Sequence, residues 1–351
     1  MLAFDEFSYA AAANKSLPSI LQSAIDHSLK TSQLYLVLSG SNVGFMESDV
    51  LGSKSPLYGR RTAQIHLLTF DYLDSAKMLK GASELDCIRY YTCLGGVPYY
   101  LDFVGSKSCF EDNIIGLFFQ KTSVFADEPL MLLRQELREP ALYNTILMAV
   151  ARGANTPQLI ADAIGEERTK VMKYLLTLTN LGLIEKKLPL FAFWYRYIFP
   201  VRGELELGAG EAIARKKVLP LLPNLEGIRF EDVCLQWLRR KNALQELPFI
   251  ATALGSWWGT DPQSRKQADV DVLAAEPTEK KLLLGECKWQ ESVQDGTALN
   301  KLLGKGHLFP AFTEHWHYLF SKDGFDIAAK RIAKEYPSVA LIGLLDMFES
   351  I

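Results

Sequence analysis

Apolar positions along the chain repeat with two periods, and the alternation between them divides it. Residues 2–4, 34–38 and 65–70 are short apolar runs of strand type, and residues 17–29 carry a helical stripe with Pro18 near its start. Alternating helix and strand signals of this kind predict a parallel α/β layer. From 71 to 135 the period is helical, broken by Gly95-Gly96-Val97-Pro98. Three shorter helical pieces follow at 142–152, 157–164 and 167–181, the second opened by Thr156 as N-cap and Pro157 at the first helical position. Residues 182–185 then lead toward a short strand, so the block reads as a winged helix-turn-helix. An aromatic run at 191–199 and a glycine-bearing connector at 203–210 precede the last block. There the pattern predicts helices at 225–240, 297–303 and 325–335, and strands at 269–274, 281–287, 315–320 and 339–345.

These patterns give an α/β multidomain protein with four parts: 1–75, 76–136, 137–200 and 201–351. Composition changes little in that picture. A chain that is 48% apolar and 23% charged has the make-up of a globular protein, and a net charge of −3 leaves nucleic-acid binding to local patches. Five scattered cysteines without CxxC spacing fit a reduced, cytoplasmic setting better than a disulfide framework or a zinc site. No apolar run approaches the roughly 20 residues of a membrane span, so no membrane partner is expected.

The chemistry-bearing residues concentrate in the last block. Asp269-Val270-Asp271-Val272 and Leu284-Gly285-Glu286-Cys287-Lys288 lie on two strand candidates at hairpin distance. Period-two alternation sets Asp269 and Asp271 on one face of the first, and Glu286 and Lys288 on one face of the second. Cys287 is then expected on the opposite, apolar face. If the two polar faces coincide, three acids and an ammonium meet, a grouping suited to a divalent metal, a hydrolytic water and a phosphate. Glu231, on the helix expected before them, is a further acid. His315 and His317 share a strand face, but two imidazoles without a third ligand make a poor zinc site and read as structural or as groove lining.

At the other end, Phe4-Asp5-Glu6 closes a short apolar run, Ser39 stands at the end of another, and Arg60-Arg61 sits on a turn. With Gly95-Gly96-Val97-Pro98-Tyr99-Tyr100-Leu101 after them, these blocks resemble the archaeal-type AAA+ ATPases of prokaryotes. The resemblance implies a Walker B role for Asp5 (Mg²⁺) and Glu6 (water), a γ-phosphate sensor at Ser39, charge stabilisation by Arg60 and Arg61, and ATP as cofactor. The sequence departs from the family in having no G-x-x-x-x-G-K-[ST]; Gly52-Ser53-Lys54-Ser55 lacks the spacing. The expectation is therefore a truncated or split ATPase, inactive alone, in which Asp5, Glu6, Arg60 and Arg61 are solvated remnants; the alternative is a subunit whose P-loop comes from a partner.

The last block resembles the PD-(D/E)xK restriction-endonuclease-like superfamily, which the ATPase family commonly carries at its C-terminus. That resemblance implies Asp271, Glu286 and Lys288 as catalytic residues with Glu231 assisting, and Asp271, Glu286 and Asp269 as ligands for Mg²⁺. DNA is the implied partner. Arg168, Lys170 and Lys173 of the winged helix and Lys186 and Lys187 of its wing suit phosphate contact, and protein docking is the alternative for such a block. Trp257, Trp258, Arg265, Lys266, Lys280, Lys281 and Trp289 suit a DNA-facing surface, with a core position the more usual alternative for the tryptophans. Two alternatives stay open beside a nuclease: a DNA-binding or protein-docking module without turnover, and a split ATPase subunit.

Overall fold

The structure, a computed structural model, describes residues 1–40, 44, 46–181 and 189–349. It divides into two compact units, one of residues 1–68 and 141–187, the other of residues 69–140 and 188–351.

In the first unit β1 (Leu2–Phe4) pairs in parallel with β2 (Leu36–Leu38), Phe4 standing opposite Leu38. The helix Phe7–Ala13 follows β1 after a two-residue turn, and Phe7, Ala11, Leu21, Val50 and Leu57 form a small core beneath it. Residues 65–68 were expected to continue a strand but are irregular, with Ile65 and Leu67 more than 80% exposed. A strand persists only against a partner ladder, and in this unit the described strands are β1 and β2. Three helices occur at Pro140–Ala151, Pro157–Ile164 and Arg168–Asn180. The hydroxyl of Thr156 accepts from the Leu159 N–H at 3.2 Å, the cap expected from the sequence, and Gly165 ends that helix with φ 70°. Tyr143 and Tyr174 meet edge to face at 4.7 Å, joining the first helix to the third. Lys170 pairs with Glu166 at 2.9 Å. The expected wing, with Lys186 and Lys187, lies outside the described residues.

The second unit is built on a five-stranded sheet in the order β3 (Ala253–Thr260), β4 (Gln267–Glu276), β5 (Lys281–Lys288), β6 (Glu314–Ser321), β7 (Val339–Gly343). The first three strands are antiparallel neighbours and the last three parallel. Parallel neighbours need crossovers, and the helices Gly296–Gly304 and Ile327–Glu335 supply them. Asp295 and Asp326 cap these helices, accepting from Thr297 and Ala298, and from Ala329. Both crossover helices cover one face, where Leu282, Leu284, Leu299, Leu302, Leu319 and Val339 are buried together.

The opposite face takes the 22-residue helix Leu222–Ala243 through Phe230, Val233, Cys234, Trp237 and Leu238. Helices Tyr72–Met78 and Glu84–Leu94 belong to that same core through Tyr72, Leu73, Ile88 and Tyr91. A polar network ties them together. Buried Glu226 accepts from Arg89 at 3.2 Å and from the Trp289 indole at 2.8 Å, while Arg89 also pairs with Asp86 and Glu111 and lies over the Phe110 ring.

The stretch 203–210 is not the open connector that its glycines suggest. It holds the helix Arg202–Glu206, a turn at Gly208 (φ 83°), and the start of the helix Gly210–Ile213. Burial of Leu205 and an ion pair between Glu204 and Lys217 at 2.9 Å hold it helical against its glycine content.

Candidate functional site

β4 and β5 form the antiparallel pair expected from the sequence, joined by a short turn. Their paired register runs from Glu276 opposite Lys281 to Val272 opposite Gly285, and ends there. Continued by one residue it would set Asp271 against Glu286. Instead of a backbone ladder at that point, the Asp271 carboxylate accepts the Cys287 N–H at 2.7 Å. A side chain thus closes the gap left where the strands part.

The strict alternation assumed for β4 fails at this place. Opposite Gly255 and Trp257 of β3 the register slips, so that three positions of β4 span what two of β3 span. Val270 consequently packs in the core under the crossover helices, whereas Val272 packs in the core under the long helix. Asp271 lies at the irregularity. The bulge breaks the shared face predicted for Asp269 and Asp271: Asp269 is exposed, and it reaches the site through its carbonyl oxygen.

β5 keeps its alternation. Leu283 and Cys287 face the long helix, and Leu282 and Leu284 face the crossover helices. Glu286 and Lys288 therefore share the crossover-helix face, and Cys287 has the apolar orientation expected of it. Lys288 Nζ donates to Glu286 Oε1 at 2.6 Å. A second ammonium, absent from the sequence reading, completes the cluster: Lys305 Nζ donates to Glu286 Oε2 at 2.6 Å and to the Asp269 carbonyl at 2.7 Å. Lys305 is 19 residues from Glu286 and arrives by way of the crossover helix. Its one signal in the sequence is its place just beyond a predicted helix that follows the Glu-x-Lys strand.

The two carboxylates are driven apart in proton affinity. Burial raises the pKa of Asp271, and the Glu286 charge raises it further, outweighing the Cys287 N–H and the two lysines. Burial alone would raise Glu286 as well, but the hydrogen bonds and charges of Lys288 and Lys305 bring it below the ordinary glutamate value. Lys288 is held charged: burial works against the ammonium, and Glu286 more than compensates. The long helix, on the opposite face of β5, carries Glu231 within electrostatic reach of Cys234 and Cys287. Cys234 and Cys287 touch there, burial pushes both thiols up, and the charges of Asp271 and Glu231 add to that rise.

The charge of Glu286 disfavours ionisation of Asp271, and two carboxylates in that relation are of the donor type that a hard divalent cation takes. Among the described residues no group of three or more His, Cys, Asp or Glu side chains is arranged to hold a metal. The imidazoles of His315 and His317 lie 6.4 Å apart between ring centres. Of the aromatics expected on a nucleic-acid face, Trp289 is core and Trp257 packs against Phe309, whereas Trp258 is 80% exposed.

In the first unit the β1–β2 pairing brings two predicted residues together. Ser39 Oγ donates to Asp5 Oδ1 at 2.7 Å, and that oxygen also accepts from the Glu6 N–H at 3.0 Å. Glu6 takes a left-handed backbone, φ 48°, at the turn into the helix. Arg60 is engaged elsewhere: Asp26 holds it through both carboxylate oxygens, at 2.9 and 2.7 Å, and its guanidinium also donates to the Pro56 and Tyr58 carbonyls. Arg61 is exposed and donates to Gln64. Asp26 had no signal beyond its charge, since the fold brings it to Arg60 from 34 residues away.

Comparison with known proteins bears on both units. Residues 1–104 match a family model described as an ATPase domain predominantly from Archaea. Residues 194–299 match one described as archaeal and bacterial proteins of unknown function. Together they support the resemblance to archaeal-type ATPases. An uncharacterized protein of Methanocaldococcus jannaschii, MJECL04, is 27% identical over 308 residues, covering 83% of this chain and 68% of that protein. The crystal structure of protein VC1899 from Vibrio cholerae aligns over 68% of this chain and 58% of that one, with 16% identity and a TM-score of 0.29, too low to carry a structural argument. No helix among the described residues is long and apolar enough to cross a membrane.

Proposed function

We propose that the second unit carries a nuclease-like site for metal-dependent phosphodiester cleavage in DNA. The observation that supports it is the meeting of Asp271, Glu286 and Lys288 where β4 and β5 part. Asp271 and Glu286 would hold Mg²⁺, which when bound supplies a polarised phosphate and a water of lowered pKa. The remaining work falls to the chain. Lys288, held charged by Glu286, offsets the negative charge that builds on the phosphate. The Cys287 N–H orients the Asp271 carboxylate, and Glu231 adds a further acid from the long helix. Exposed Trp258 offers a base-stacking surface on β3.

The test is cleavage of single- and double-stranded DNA by the purified chain in Mg²⁺ or Mn²⁺. Asp271→Ala and Lys288→Met are each expected to lower the rate by about 10²-fold or more. A wild-type chain that cuts neither DNA nor RNA, yet binds DNA in a salt-dependent manner undiminished by Glu286→Gln, would replace this reading with a binding module.

A second reading concerns the first unit, and the Asp5–Ser39 bond supports it. This pair has the composition of a Walker B acid beside a sensor hydroxyl, and the sequence has no P-loop motif to complete it. Hydrolysis of ATP at this pair needs a P-loop, G-x-x-x-x-G-K-[ST], beside it, and this reading has it supplied in trans. Turnover by the mixture, absent from either component and reduced about 10²-fold by Asp5→Asn, is the expected result. A mixture indifferent to Asp5 would sink the idea.

A further inference from the structure

The resemblance to a two-acid, one-lysine site leaves Lys305 unexplained. Its ammonium is bound by a carboxylate oxygen, Glu286 Oε2 at 2.6 Å, and by a backbone carbonyl, Asp269 O at 2.7 Å. Oxygens of those two kinds are what a hard divalent cation also takes. With Lys288 on Glu286 Oε1 at 2.6 Å, both oxygens of the one strongly ionised acid of the site are engaged by lysines. The pairing is not a loose surface contact, since Glu286 is 17% exposed and Lys305 20%.

Resting on the reading that Asp271 and Glu286 hold a divalent cation, we propose that Lys305 is a built-in competitor for that cation. Its ammonium and the metal claim the same Glu286 oxygen and the same side of the Asp269 carbonyl. A cation therefore enters only as Lys305 swings away, and the site's apparent affinity is its intrinsic affinity multiplied by the fraction of time the lysine is displaced. Lys305 stands at the start of the short turn Lys305–Leu308 that ends the crossover helix, so its long side chain can leave without disturbing a strand. It is a positioning residue: it holds Glu286 in place and charged, and sets the metal concentration at which the site fills.

Direct Mn²⁺ binding to the full chain, read from the electron paramagnetic resonance signal of the free ion, tests this without reference to cleavage. Lys305→Met and Lys305→Gln are each expected to bind Mn²⁺ at least tenfold more tightly than wild type, and adding Glu286→Gln should abolish the gain. A measurement on the wild-type chain does not depend on the variants folding: acetylation of Lys305, followed by peptide mass spectrometry, should rise several-fold as Mn²⁺ is added, while exposed Lys77 stays constant. Equal or weaker binding by both variants, or labelling of Lys305 that does not rise while wild type binds Mn²⁺, overturns the proposal and leaves the two-carboxylate metal site standing. Failure of wild type and variants alike to bind millimolar Mn²⁺ overturns both.

Discussion

Asp271 and Glu286 are partly buried carboxylates on adjacent strands, and burial raises the proton affinity of both, yet their neighbours leave Asp271 raised and Glu286 lowered. Which acid receives two lysines decides the difference, and only one of those lysines is close in sequence. His317 teaches a similar lesson for stability. It is buried on β6, with neither ring nitrogen bonded to a protein group. Burial lowers its pKa from 6.5 to about 4, and His315 beside it contributes in the same direction. A folded-state pKa below the unfolded one means that the unfolded chain binds more protons between those values. The stability from neutral His317 is complete above about pH 6.5 and is lost as the pH falls toward 4. The loss is on the order of 3 kcal/mol. His317→Leu should therefore flatten the decline in urea-unfolding stability between pH 7 and pH 4.5. An unchanged pH slope in that variant would assign the acid sensitivity to other groups.

Among elements, β4 and β5 carry the site because a short turn makes them neighbours, and a local pairing of that kind is readable from alternation and turn residues. The bulge in β4 is not readable, since nothing in Asp269-Val270-Asp271-Val272 marks an extra residue. It arises from fitting β4 to β3 and β5 at once. Gly285 shows how closely the two site strands approach. A Cβ there would lie 2.5 Å from Val272 Cγ2 and 3.3 Å from the Phe320 ring. Gly285→Ala is expected to destabilise the protein by about 1–3 kcal/mol through overpacking. Val272→Ala on the facing strand should relieve part of that, giving a double-mutant coupling of about 1 kcal/mol. Additive effects in denaturant titrations would mean that the strands adjust freely at this pair. Residues 140–180 divide in the same way: the Thr156 cap and three helices follow from local signals, and the expected wing lies outside the described residues.

For the molecule as a whole, the sequence by itself determined the long helix, β4 to β7 and the two crossover helices of the last block, and the antiparallel pairing of β4 with β5, whereas β3 and the short helices at 202–213 went unmarked. It also singled out Asp5 and Ser39, because apolar strand runs end in those polar residues, while the bond between them follows from the β1–β2 pairing. These features depend on side-chain periodicity and on contacts between near neighbours, which residue order encodes directly. Only the tertiary structure decided that helices 72–78 and 84–94 belong to the core of the β3–β7 sheet, with Arg89 bound to Glu226 across 137 residues. It alone decided that Arg60 is spoken for by Asp26, that Asp269 offers a carbonyl to the site, and that Lys305 comes to rest on Glu286. Each of these depends on where a crossover or a distant helix is packed. That packing is set by complementary burial over the whole unit, and a pattern read along one segment does not contain it.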